Sequence, residues 1–305
     1  MPVFHPDLAA ARFIPKISYG PRLTRMMANG KVRNPPIPDD MLVDDVTVPN
    51  TDGLRVRLYR PKSLTTTAGA MLWFHGGGYV QGSLEQDERT NIQFARELGI
   101  TVAAVGYRLA PAHPSPAAVK DGYAALEWLV ANAAERHIDP TRIALGGASA
   151  GAGLAASLAL YAHDKGTISP AFQLLLYPML DDRTVTRTDH DTRHVRIWTP
   201  GSNDYAWTSY LGEAPGGADV SPYAAPSRRD DLRGLPPAWL GVGSLDLFHD
   251  EGVAYAARLN ASGVACETYV VDGAFHAFDV VFPMARVTLA FRREQSRALR
   301  AALLG

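Results

Sequence analysis

Six apolar runs, most of them separated by helical sequence, constrain this chain more than any other feature. They are Ala70–Phe74, Ile100–Val105, Arg142–Leu145, Phe172–Leu176, Ala238–Val242 and Glu267–Val271. Each is close to continuous in apolar side chains. A strand with one wet face alternates between apolar and polar; a strand buried on both faces has no need to. Helical stretches stand between most of the runs. One starts at the capping box Ser83-Leu84-Glu85-Gln86, and others cover about 116–135, 151–164, 250–262 and 284–303. Such alternation predicts a mostly parallel sheet with helices on both faces.

Two intervals depart from that rhythm. Up to about residue 40 the chain is Pro-rich and weakly amphipathic, and Asn34-Pro35-Pro36-Ile37-Pro38 cannot continue a helix. Leu54-Arg55-Val56-Arg57-Leu58 then alternates as a half-buried strand should, with Asp52-Gly53 as the turn from a preceding strand. Residues 183–235 are polar, aromatic and rich in Pro and Gly between two core strands. That is too long for a plain connection and reads as a functional insertion.

Bulk properties exclude several classes of function. A net charge of -1 gives no surplus of either sign for a nucleic-acid or membrane-surface field. One cysteine, Cys266, cannot form an internal disulfide, and no Cys/His group has zinc spacing. Cys266 opens a predicted strand and reads as a small packing residue. The N-terminus lacks a basic start followed by an apolar run, and no apolar stretch is long enough to span a bilayer. No membrane insertion is expected, and a cytoplasmic setting fits.

Gly147-Ala148-Ser149-Ala150-Gly151 carries the chemistry. It follows a predicted strand and opens a helix of small residues. A serine at so sharp a turn is held in a strained backbone with its hydroxyl clear of the sheet, and flanking glycines relieve crowding. A plain glycine turn is the alternative. Serine also needs a base and donors for an oxyanion. His75-Gly76-Gly77-Gly78 follows another strand, and glycines let backbone amides turn toward a ligand. No GxGxxG and no Gly-Lys-Ser/Thr follows, which argues against a phosphate loop. The amide of Ala150 adds a donor. His75 itself reads as scaffold.

The base comes from nine histidines. In the order Ser, acid, His, the fitting residues are Asp246, just past the Ala238–Gly243 strand, and His276, in Asp272-Gly273-Ala274-Phe275-His276-Ala277-Phe278. Both lie at carboxyl ends of parallel strands, the edge where open α/β sheets bind ligands. His249 is the main rival. Asp250 reads as a helix N-cap and Asp272 as a turn residue. His190 and His194 fall in the insertion, as exposed or gating groups, and His5, His113, His137 and His163 read as structural or surface groups.

Together these motifs resemble the hormone-sensitive-lipase family of bacterial esterases (family IV), within the α/β-hydrolase fold. The resemblance runs over residues 45–290. It rests on His75-Gly76-Gly77-Gly78-Tyr79, Tyr107-Arg108-Leu109-Ala110-Pro111, His113-Pro114, Pro116-Ala117-Ala118, the Ser149 motif, Asp246-Leu247-Phe248-His249-Asp250-Glu251 and His276-Ala277-Phe278. Two positions depart: Ala112 stands where relatives usually have Glu, and Ala148 where they often have Asp or Thr. The resemblance implies an eight-stranded, mostly parallel sheet with helices on both faces. It implies a small helical cap made of residues 1–45 and 183–235, on a core of 46–182 and 236–305. It implies catalysis by Ser149, Asp246 and His276, with oxyanion amides at Gly77, Gly78 and Ala150.

The expected activity is that of a serine carboxylesterase on short- to medium-chain esters, with no metal and no organic cofactor. Its partner is a small-molecule ester, not nucleic acid. A homodimer through the sheet edge is suggested by analogy. Tyr79, Trp198, Tyr205, Trp207 and Phe278 are candidate pocket walls, or anchors of the cap. A lactone or amide hydrolase with the same residues is an alternative. So is an inactive ligand-binding homologue, although such a protein is expected to lose a catalytic residue and this one has all three.

Overall fold

The computed structural model describes residues 3–28 and 36–305. Eight strands make one sheet: β1 (Met41–Thr47), β2 (Arg55–Pro61), β3 (Ala68–Phe74), β4 (Thr101–Gly106), β5 (Ile138–Ala148), β6 (Phe172–Leu176), β7 (Ala238–Gly243) and β8 (Cys266–Val271). Their order across the sheet is β1-β2-β4-β3-β5-β6-β7-β8. β2 pairs antiparallel with both β1 and β4, and every later pair is parallel. All residues of β3, β6 and β7 are buried, which is why their sequences do not alternate. β2 begins with exposed Arg55, buried Val56, half-buried Arg57 and buried Leu58.

The helices are α1 (Pro21–Ala28), α2 (Glu88–Leu98), α3 (Ala117–Ala131), α4 (Ala150–Lys165), α5 (Pro200–Leu211), α6 (His249–Ala261), α7 (Phe278–Val281) and α8 (Arg286–Leu304). α8 buries Thr288, Phe291, Gln295, Leu299 and Leu303, one stripe at helical spacing. α4 differs. It is buried nearly all round and consists mostly of Ala, Gly and Leu. Its small side chains allow it to lie close against β5 and β6. At its start Gly151 meets the end of β3, where an added Cβ would lie 2.0 Å from the Phe74 carbonyl oxygen.

The N-terminal segment and the insertion hold each other. Residues Pro6–Phe13 form a 3-10 helix that buries Leu8 and Ala11. The Arg196 Nε donates to Ala11 O at 3.1 Å, and Lys16 Nζ to Thr192 O at 2.8 Å. Ser18 Oγ lies 2.7 Å from Thr199 Oγ1, and Tyr19 N donates to Ser202 Oγ at 2.8 Å. His5 N donates to Gly273 O at 2.9 Å, which ties the segment to the loop that carries His276. The insertion contains α5 and two short 3-10 helices, Asp182–Thr186 and Pro226–Arg228.

Several local expectations are corrected. Residues 83–87 form turns, and α2 begins only at Glu88, so Ser83-Leu84-Glu85-Gln86 is no capping box. Its side chains are drawn elsewhere: Glu85 approaches Arg57 at 3.7 Å, and Gln86 Nε2 donates to Gly76 O at 3.4 Å. Asp250 does not cap α6, because the turn ahead of the helix is already held by Phe248 N donating to Asp246 Oδ1 at 2.9 Å. Asp250 instead pairs with Arg187 at 3.0 Å. The boundary expected at residue 45 falls inside β1, which starts at Met41. Of the proline run, Asn34 and Pro35 lie outside the described residues.

Gly151→Ala forces the α4 start away from β3, because a backbone oxygen cannot step aside as a side chain can. The expected cost is about 2 kcal/mol or more, read as a lower midpoint in urea unfolding. An unchanged midpoint would show that the close approach is not required.

Candidate active site

Three strand ends on one edge of the sheet deliver three side chains. β5 ends at Ala148, and Ser149 makes the turn into α4 with φ +57° and ψ -120°. Few residues other than glycine adopt such a backbone. It is held on several sides: Ser149 N donates to Leu176 O (2.9 Å), and Ser149 O accepts from Gly153 N (3.0 Å) and Met179 N (3.1 Å). Asp246 follows β7, and His276 follows β8.

The structure brings these three together. His276 Nε2 lies 3.0 Å from Ser149 Oγ, and His276 Nδ1 lies 2.8 Å from Asp246 Oδ2. The residues are only 5%, 6% and 3% exposed, for Ser149, Asp246 and His276. The imidazole is boxed by the rings of Tyr177 at 4.9 Å and Phe248 at 5.2 Å, both edge-on. Its two nitrogens are thus committed and its plane is fixed. The rival histidines are elsewhere: His190, His194 and His249 line a separate cavity of about 160 Å³ that does not include Ser149.

The glycine loop is braced from behind by His75. Its ring stacks on Tyr107 at 4.3 Å, and Tyr107 Oη donates to His75 O at 2.8 Å. Burial pushes the His75 pKa down to about 4, so the ring is neutral at working pH. Gly77 and Gly78 have φ of +123° and +62°. At Gly78 the ring of Trp198 comes so close that an added Cβ would lie 2.3 Å from it. No hydrogen bond among the described residues engages the Gly77 or Gly78 amide. Ala150 is the first residue of α4, where a helix leaves its amides without internal acceptors.

Ser149 opens into a cavity of about 340 Å³. Four of its wall residues, Ser149, Tyr177, Ile197 and Ala277, have positive φ without being glycine. Backbone strain therefore gathers around this one space. Of the five aromatic residues expected at its wall, only Trp198 lines it. Tyr79 is stacked on Tyr210 at 3.7 Å, and Trp207 is fully buried beside them. Phe278 packs on Phe291 at 5.1 Å. Tyr205 packs against the core. These four serve packing because each has an apolar neighbour beneath it.

The sequence reading missed much of the wall: Tyr19, Trp73, Asp87, Leu176, Tyr177 and Asp279. Leu176 and Tyr177 were findable, since they sit at and just past the carboxyl end of β6. Asp87 and Asp279 gave no periodic or motif signal. Burial raises the pKa of both, and for Asp87 the value is pushed up to about 6. Among the described residues, no group of three or more His, Cys, Asp or Glu side chains could hold a metal ion, and no helix is long and apolar enough to cross a membrane.

Comparison with known proteins agrees with this fold. A profile of the alpha/beta hydrolase fold matches residues 71–280. The chain belongs to the hormone-sensitive-lipase branch of the α/β-hydrolase family. It is 35% identical over 270 residues to the carboxylic ester hydrolase LipN of Mycobacterium tuberculosis, covering 86% of this chain and 70% of the relative. It is 35% identical over 242 residues to an ethyl acetate hydrolase of Pseudomonas putida, covering 77% of this chain and 75% of the relative. Among solved structures, a bacterial heroin esterase superposes with a TM-score of 0.88 at 38% identity, over 99% of this chain and 98% of the other. In this hydrolase Ala148, beside Ser149, lines the cavity.

The raised pKa of Asp87 has a consequence for stability. The folded protein holds that proton more tightly than the unfolded chain does. Losing it therefore favours unfolding, and the contribution of Asp87 declines as pH rises from about 4 to about 6. Asp87→Asn removes this decline. Its melting temperature relative to wild type is expected to rise between pH 4 and pH 7. A difference that stays constant across that range would contradict the assignment.

Proposed function

We propose that this chain hydrolyses short- to medium-chain carboxylic esters through an acyl-enzyme on Ser149. Ester hydrolysis as a class comes from the family and from relatives named for it. The single observation that supports the residue assignment is the hydrogen-bonded line from Ser149 Oγ to His276 to Asp246 at 3.0 and 2.8 Å, opening into a cavity.

The reaction follows from that line. Ser149 Oγ attacks the ester carbonyl carbon as its proton passes to His276 Nε2. Asp246 keeps the proton on Nδ1 and stabilises the imidazolium. The carbonyl oxygen becomes an oxyanion, received by the amides of Gly77, Gly78 and Ala150. One such donor is typically worth about 10²–10³ in turnover. Collapse breaks the bond to the alcohol oxygen, which takes the proton from Nε2. Water then gives a proton to Nε2 and attacks the acyl carbon; collapse breaks the acyl–Oγ bond, Ser149 Oγ takes the proton back from Nε2, and the acid leaves.

We read residues 3–28 and 183–235 as a cap over this edge of the sheet. The hydrogen bonds between the two segments support that reading, as does the placement of Tyr19, Ile197 and Trp198 on the cavity wall. A cavity of about 340 Å³ suits small soluble esters rather than long-chain triglyceride. A cytoplasmic setting is also proposed, with the single cysteine, Cys266, as a free buried thiol in support. A homodimer through the sheet edge is also proposed: β8 is a terminal strand of the sheet and exposes Val270.

Ser149→Ala is expected to abolish release of p-nitrophenol from a short-chain ester and labelling by a fluorophosphonate. Asp246→Asn is expected to lower kcat by about 10⁴ while leaving the fold intact. A folded Ser149→Ala protein that retained turnover would overturn the assignment. Rates peaking at long acyl chains would overturn the substrate range.

A further inference from the structure

Nearly every buried carboxylate described above has an evident partner. Glu88 pairs with Arg57 at 3.1 Å, Asp121 with Arg108 at 2.8 Å, and Asp182 with Arg228 at 2.8 Å. Asp246 holds His276. Glu251 accepts from the amides of Leu180 and Asp181 and from the Thr184 hydroxyl. Half-buried Asp87 and buried Asp279 are held more sparsely. Among the described residues, neither carboxylate forms an ion pair with a Lys or Arg.

Each accepts one side-chain hydrogen bond, from a neutral donor. Trp73 Nε1 donates to Asp87 Oδ2 at 2.9 Å. Tyr177 Oη donates to Asp279 Oδ1 at 2.9 Å. The nearby Arg292 spends Nη2 on the main-chain oxygen of Asp279, at 3.0 Å, and Nη1 on Pro283 O. Asp279 is only 7% exposed. Asp87 occupies the N-cap position of α2, yet its side chain caps nothing there. A carboxylate at that position ordinarily accepts from the first turn. This one lies on the cavity wall instead.

Both carboxylates line the cavity that contains Ser149. Among the described residues no Lys or Arg lines it, and the one histidine that does, His276, is engaged at both nitrogens. The remaining wall includes the aromatic rings of Tyr19, Trp73, Tyr177 and Trp198. Burying charge without a counter-charge is costly. Two carboxylates beside one space make it complementary to a cation, and aromatic faces add attraction for an alkylammonium group.

We infer that this cavity selects esters bearing a cationic group, a quaternary ammonium or protonated amine, with Asp87 and Asp279 as the residues that receive the charge. The inference rests on the esterase reading and names its substrate class. The ester carbonyl sits at Ser149 while the charged end lies against the two carboxylates. Neither carboxylate takes part in bond making; they act on affinity and orientation. The proton on Asp87 is lost above about pH 6, so its carboxylate meets the cation as an anion at pH 8.

The test compares acetylcholine with its uncharged isostere, 3,3-dimethylbutyl acetate, at pH 8. The two differ by a nitrogen replacing a carbon. Wild type is expected to favour acetylcholine in kcat/KM by about tenfold, with the margin shrinking as salt is raised. Asp87→Asn and Asp279→Asn are each expected to move the ratio toward one. Calorimetric titration with phenyltrimethylammonium provides a readout independent of turnover, and its binding should weaken in both variants. Hydrolysis of the neutral ester with a wild-type ratio of one or less, and no binding of the cation, would overturn the inference and leave the esterase reading intact. Binding of the cation with no hydrolysis of either ester would do the reverse. If a variant fails to fold, the wild-type ratio and its salt dependence decide the matter.

Discussion

The close approach of α4 to the end of β3 underlies the rest of the structure. Gly151 touches the Phe74 carbonyl oxygen, and no side chain fits between them. Because helix and strand meet so tightly, the chain between β5 and α4 must turn within one residue. That residue is Ser149, and its left-handed backbone follows from the geometry. The same contact fixes the end of β3, and hence the start of the loop that carries Gly76, Gly77 and Gly78. Ser149 and the loop amides proposed to receive the oxyanion are therefore positioned by one packing event. Hydrogen bonds from Ser149 N to Leu176 and from Met179 N to Ser149 O carry the constraint to the end of β6.

Strain and burial then act in the same place. Ser149, Tyr177, Ile197 and Ala277 hold positive φ around one cavity. Such conformations cost on the order of 1–3 kcal/mol each and persist only where the surroundings impose them. The surroundings here are a buried sheet edge, the His75–Tyr107 stack and the paired segments at residues 11–19 and 192–202. The low dielectric that strengthens the Asp246–His276–Ser149 line also raises the pKa of the wall carboxylates Asp87 and Asp279. One burial thus shapes both the reacting centre and the electrostatic character of the pocket.

Parallel strands buried on both faces write themselves plainly into sequence, so β3 to β8 were legible as apolar runs. The serine turn was legible because its glycines answer a steric need that leaves a fixed spacing. Asp246 and His276 could be placed because both follow strands on the same edge. The capping box failed for the opposite reason. Ser83 to Gln86 carry the right residues, but Arg57 and the glycine loop compete for their side chains. Aromatic residues near the site were the least legible. A ring that walls a cavity and a ring that stacks on Tyr210 or Phe291 have the same composition, and only packing separates Trp198 from Tyr79 or Phe278. The wall carboxylates left no trace in local sequence because their meaning lies in what fails to face them.

The central claim is that the residue-149 oxygen becomes covalently attached to the acyl group during turnover. Rapid acid quenching of the enzyme during hydrolysis of p-nitrophenyl acetate, followed by peptide mass mapping, tests this directly. The account predicts an acetyl increment on the tryptic peptide spanning residues 143–165 and fragment ions that place it at Ser149. Sustained hydrolysis with no acetylated peptide, or with the acetyl group on another side chain, would contradict it.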